Sequence, residues 1–124
     1  MFVLDEAKAA GLRTLCELIV PGSARVGPEV YIDALLARMP EADREATLNA
    51  IATLMRSAEG GAQALAEQAL SPEFMAVRAL ACEAFYSDFV APGAPGPGAW
   101  EEIGFAPPLA ARLDKDWSYL GIGA

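Results

Sequence analysis

The sequence predicts an all-α fold: a small antiparallel bundle of four to five helices, followed by an extended Pro/Gly-rich, aromatic C-terminal arm. Three observations predict it. Apolar residues recur at spacings of three and four rather than two, alanine is abundant while β-branched residues are sparse, and most Pro and Gly fall between the periodic segments rather than inside them. The 124 residues have the length of one domain. Within it we distinguish a helical bundle over residues 1–90, a linker over 91–99 and a docking arm over 100–124.

A first helix begins at Asp5, a suitable N-cap, and runs to Ile19 or Val20 with Leu12, Leu15, Cys16 and Ile19 as its buried stripe. Pro21-Gly22 ends it. Pro28 is well placed as the first residue of a second helix, whose apolar side carries Ile32, Leu35, Leu36 and Met39 before Pro40 closes it. Glu41, Asp43 and Glu45 set negative charge at the start of a third helix, which suits the helix dipole, and Leu48, Ile51, Met55 and Ala58 follow along one face until Gly60-Gly61. A short fourth helix over residues 62–70 rests on Leu65 and Ala69 and is weakly amphipathic. Ser71-Pro72-Glu73 then supplies an N-cap, a first-turn proline and a first-turn acid, and Phe74, Val77, Ala81, Phe85 and Phe89 line one side of a fifth helix.

After Val90 the chain changes character. Residues 91–99 contain three prolines and three glycines, which exclude a regular element. The glycines lack the spacing of a dinucleotide-binding loop and follow a helix rather than a strand. Beyond the tract, 4 of the 10 aromatic residues fall in the last 25 positions: Trp100, Phe105, Trp117 and Tyr119, beside Ile103, Leu109, Leu113, Leu120 and Ile122. Such a load needs burial, either by folding back on the bundle or by docking in another protein. Trp and Tyr are favoured interface anchors. We therefore take Trp100, Ile103, Phe105, Trp117, Tyr119 and Leu120 as the expected partner interface.

Charge narrows the function. Nine Lys and Arg stand against 17 Asp and Glu, a formal net charge of −8, so no basic footprint for nucleic acid is present. The chain has no histidine, which removes imidazole general bases, His-containing triads and most catalytic zinc sites. No apolar run approaches the roughly 18 residues of a membrane span. The first residues mix Asp5, Glu6 and Lys8 with small apolar residues and carry no secretory pattern, so a cytoplasmic location is expected. Cys16 and Cys82 sit in apolar runs and read as buried free thiols, with a disulfide between them as the alternative.

Candidate chemistry is thin. The tandem acids Asp5-Glu6 and Glu101-Glu102 point about 100° apart on a helix and form no shared-proton dyad. Asp114-Lys115-Asp116 reads as a solvated charge run. Tyr31, Tyr86 and Ser87 lack an imidazole base, and the two lysines, Lys8 and Lys115, have no motif around them. An acid–base site built on Asp33 or Asp88 with an arginine is conceivable without a motif behind it. No metal or cofactor site is expected in this chain, nor a catalytic centre of its own.

The order of four segments resembles the small subunit 3 (gamma) family of gluconate 2-dehydrogenase. They are Leu15-Cys16-Glu17-Leu18-Ile19-Val20-Pro21-Gly22, Tyr31-Ile32-Asp33-Ala34-Leu35-Leu36, Phe85-Tyr86-Ser87 and Gly98-Ala99-Trp100-Glu101-Glu102-Ile103-Gly104-Phe105. The resemblance implies an accessory subunit that binds and stabilises or matures a large FAD-dependent subunit of the glucose-methanol-choline type, often with a cytochrome c as third component. It places FAD in the partner and not in this chain. Exported members carry a twin-arginine leader, which is not seen ahead of Asp5; either a leader is missing from this sequence, which would make the location periplasmic, or the expected role is stabilisation of a cytoplasmic flavoprotein. The competing expectation is a free-standing helical module that binds a small apolar ligand under its arm, with Trp100 or Trp117 lining the groove.

Overall fold

A computed structural model describes residues 1–104 together with Leu120 and Gly121. Among these the chain is all-helical and contains no strand. Helix α1 spans Glu6–Ile19, and the Asp5 side chain accepts from the Lys8 amide at 2.8 Å, satisfying one of the donors that a helix start leaves unpaired. A 3-10 turn, Ser23–Val26, follows α1. Helix α2 then covers Pro28–Arg38, with proline in its first turn. Helix α3, Glu41–Glu59, opens with Glu41 and Asp43, and its Arg44 reaches back to cap α2. That guanidinium donates to the carbonyls of Leu36 (2.8 Å), Ala37 (3.3 Å) and Met39 (3.1 Å), adding to the Met39 amide that already donates to Leu36 at the end of α2.

Helix α4 is Ala62–Ala66, shorter than the expected span of 62–70. Past it, Gln68 and Ala69 donate to Leu65 and Ala66 in tight i to i+3 turns, and neither Ala69 nor Leu70 has a buried surface to hold a further helical turn. Helix α5, Pro72–Tyr86, is capped by Ser71, whose hydroxyl accepts from the Phe74 amide at 3.1 Å. The helix ends before Phe89, the last residue of its expected stripe. Asp88 turns the chain with φ of 64°, and Phe89 enters the core from outside the helix, edge-on to Tyr31 with ring centroids 5.2 Å apart. Helix α6, Ala99–Glu102, follows the Pro/Gly tract.

The core lies around α2, which packs against α1, α3 and α5, while α3 also packs on α5. Leu12, Leu15, Cys16, Ile32, Leu36, Leu54, Val77 and Phe89 are fully buried there. Each large aliphatic or aromatic side chain removed from water in this way contributes about 1.5–3 kcal/mol. Because α2 is enclosed on most sides, it buries Glu29 and Asp33 along with Tyr31, Ile32, Ala34 and Leu36. Among the described residues no helix is long and apolar enough to cross a membrane.

Candidate functional site

The Pro/Gly tract is fastened along the 3-10 turn. The Ala91 amide donates to the Val26 carbonyl at 2.8 Å and the Gly96 amide to the Arg25 carbonyl at 3.0 Å. Gly27 makes the approach possible in two ways. Its φ of 68° lies in the left-handed region, and a Cβ there would stand 2.8 Å from the Ala91 side chain. Arg25 then acts as a clamp: its Nε donates to the Pro97 carbonyl at 2.8 Å, its Nη2 pairs with Glu102, and its guanidinium lies 5.2 Å from the Phe85 ring centroid. One side chain thereby joins the 3-10 turn, α5, the tract and α6.

Asp88 positions the start of α6. The Gly98 N-cap has no side chain, and the buried Asp88 carboxylate takes its place, accepting from the Trp100 amide at 3.3 Å. A side chain at position 98 would collide with it, since a Cβ there falls 2.3 Å from Asp88 Oδ1. The Trp100 indole in turn donates to the Tyr86 carbonyl at 2.9 Å. Trp100 is thus half-buried and fixed at both its backbone and its ring, while Ile103, one turn on, is 66% exposed.

Two other carboxylates are engaged by backbone amides. Asp33 accepts from Phe2 at 2.6 Å, Val3 at 2.9 Å and Leu4 at 2.8 Å, tying the N-terminal segment to α2. Glu17 accepts from Gly22 at 2.7 Å and Ala24 at 3.0 Å. The Gly22 and Ala24 amides, helped by the Arg25 charge, hold the Glu17 carboxyl below its ordinary pKa. Burial and then the Glu29 charge push the Cys16 thiol up to about 12, so it stays protonated and inert.

Glu29 is different. Its Oε1 receives Arg13 through Nε and Nη2, each at 2.7 Å, an arrangement that raises the Arg13 pKa further. Its Oε2 is buried without a hydrogen-bond partner. The pair lines a pocket of about 300 Å³ roofed by Ala91, Pro92, Gly93, Ala94 and Pro95. A separate, largely apolar groove of about 400 Å³ is lined by Leu4, by Lys8 of α1 and by Leu48, Ile51, Ala52 and Met55 of α3. Among the described residues no group of three His, Cys, Asp or Glu side chains is arranged to hold a metal ion.

Of the expected interface residues, Trp100 is the anchored one, Ile103 is exposed and Leu120 is buried. Phe105, Trp117 and Tyr119 lie outside the described residues. Leu120 sits beside Gly121, where a Cβ would lie 3.3 Å from the Phe2 ring and 3.7 Å from Arg38 Nη2. Among the described residues, Asp33 accepts from the Phe2, Val3 and Leu4 amides and Asp88 from the Trp100 amide, while the arginine pairs are made by Glu29 and Glu102. Cys16 and Cys82 are both free.

Sequence reasoning passed over Arg25 and Glu29. For Glu29 a signal existed: with Asp33 it forms an i, i+4 pair of acids on a helix that carries no other charge before Arg38. Arg25 had none, because its partners lie 60 to 77 residues away in sequence. Compared with family models, curated proteins and solved structures, the chain matches none of them.

Proposed function

We propose that this chain is a non-catalytic small subunit, of the gluconate 2-dehydrogenase subunit 3 type, that binds and stabilises or matures a large FAD-dependent sugar or alcohol oxidoreductase of the glucose-methanol-choline type. In this reading the chain is a helical bundle whose arm, residues 100–124, docks on the flavoprotein in the cytoplasm. FAD resides in the partner, and a cytochrome c is a third component where one is present. The observation that carries the reading is the Trp100 shelf. Asp88, Arg25 and the Tyr86 carbonyl hold the start of the arm rigidly, and beside the fixed indole Ile103 presents an apolar side chain to solvent. A pre-ordered aromatic anchor next to an open apolar residue suits a docking surface, because little conformational entropy is left to lose on binding. The resemblance of four sequence segments, in order, to that family supports the same reading.

Co-expression with a large FAD-dependent oxidoreductase chain of this type from the same organism, followed by gel filtration, tests the proposal. We expect the two chains to elute together and Ile103→Asp to separate them. Independent elution of the wild-type chains would overturn it.

A second reading is favoured by the apolar α1/α3 groove, which has the size and lining of a small-ligand site. In that reading the chain is a free-standing module for a small apolar molecule, bound in that groove rather than under the arm. Saturable displacement of an apolar fluorophore from the isolated chain, abolished by Ile51→Glu, would support it.

A further inference from the structure

Helix α5 carries apolar residues all round its circumference, a pattern that belongs to helices covered on every side. Among the described residues, its contacts bury only one side of it. Val77, Ala81, Ala84 and Phe85 point into the core, yet on the opposite face Met75 is 60% exposed and Tyr86 is 53% exposed. Between them Ala79 is exposed and Cys82 is half-buried. The four positions are separated by four, three and four residues, which places them in one narrow seam along the helix, the spacing of the contact positions in a two-stranded coiled coil. The small Ala79 and Cys82 in its centre permit close approach of another helix.

The charges beside the seam select the occupant. Arg78 flanks it on one side and Glu83 on the other, five residues further on, and both are exposed. When two identical helices pack in parallel about a twofold axis, the flank of one faces the opposite flank of the other, with an offset of five residues. Arg78 of each chain then meets Glu83 of its mate, twice by symmetry. Antiparallel packing would oppose Arg78 to Arg78 and Glu83 to Glu83. We propose that the outer face of α5 is a self-association surface, on which two copies of this chain pair in parallel through Met75, Ala79, Cys82 and Tyr86, with reciprocal Arg78–Glu83 ion pairs fixing the direction. The proposal does not depend on the flavoprotein reading, and its test uses this chain alone.

Sedimentation equilibrium of the full chain over a wide concentration range should show a reversible monomer–dimer equilibrium. Arg78→Glu and Glu83→Arg, both at exposed positions that leave the core intact, should each weaken the dimer by roughly tenfold, because two pairs are lost and two like-charge contacts appear. The double variant R78E/E83R should recover the wild-type constant to within about twofold, since it restores both pairs with reversed sign. Cys82 faces its own mate across the seam, so a short bis-maleimide should link wild-type chains and leave Cys82→Ser unlinked, while the buried Cys16 takes no part. A chain that stays monomeric throughout, a double variant no tighter than the single ones, or a dimer in which Cys82 is not linked would each overturn the proposal, the last by placing the contact elsewhere.

Discussion

Asp33 shows at the residue scale why a buried carboxylate in this chain need not be a reagent. Three consecutive amides, those of Phe2, Val3 and Leu4, converge on its two oxygens, so the side chain completes the hydrogen bonding of a segment that has no regular structure of its own. Asp33→Ala leaves those donors without a partner and should cost about 3 kcal/mol in chemical denaturation. Glu17 makes the same kind of contact nearer the surface, and its effect is readable in pH. Its folded pKa lies below the ordinary 4.5, so the stability it contributes is fully present above that value and is lost as pH falls through the folded pKa. On acidification below about pH 4.5 the wild-type chain should therefore lose stability more steeply than Glu17→Gln. An equal slope in thermal melts of the two proteins would contradict that assignment. Neither role was legible in the sequence, because an aspartate that receives amides from the chain terminus has the same local spelling as one exposed to water.

At the scale of elements, helix starts were the legible part. Asp5, Pro28 and the Ser71-Pro72-Glu73 run mark helix starts by local chemistry, and α1, α2, α3 and α5 begin where those residues place them or where Pro40 lets α3 begin. Local chemistry failed where the deciding partner is distant. The span of 62–70 lost its last turn because no surface covers Ala69 and Leu70, and Phe89 reached the core without the helix that was expected to carry it. The burial of Glu29 likewise follows from α2 being enclosed, which no residue of α2 announces. Arg25 is the plainest case, since it joins elements that are far apart in the chain. Arg25→Met keeps the aliphatic stem but removes the donors to Pro97 and Glu102. Hydrogen exchange at the Glu102 and Ile103 amides, which close α6, should then accelerate roughly tenfold while the amides of α1 and α3 remain protected. Unchanged exchange in α6 would mean that the clamp does not hold it.

For the whole molecule, charge and shape point the same way. Residues 41–91 carry 3 basic against 8 acidic side chains, more than half of the net −8, while residues 92–124 carry 2 against 4 alongside the dense aromatic load. A net charge of −8 opposes the approach of two copies, and the opposite charges flanking the proposed α5 seam would offset that repulsion. The fold class was legible because helical periodicity is a local property repeated along the chain, and the structure bears it out as a multi-helix bundle. The arm was legible only as a demand for burial. Its first residues meet that demand on α5, with Trp100 fixed and Ile103 left open, and the open residue is where we place the partner.

The most direct measurement is the flavin content of the large chain produced with and without this one. If this chain stabilises or matures the flavoprotein, the large chain made alone should be poorly loaded with FAD or insoluble. Co-production with the wild-type small chain should restore a full complement of one flavin per large chain, and Ile103→Asp should restore much less. A large chain that is soluble and fully loaded with flavin in the absence of this protein would contradict the account.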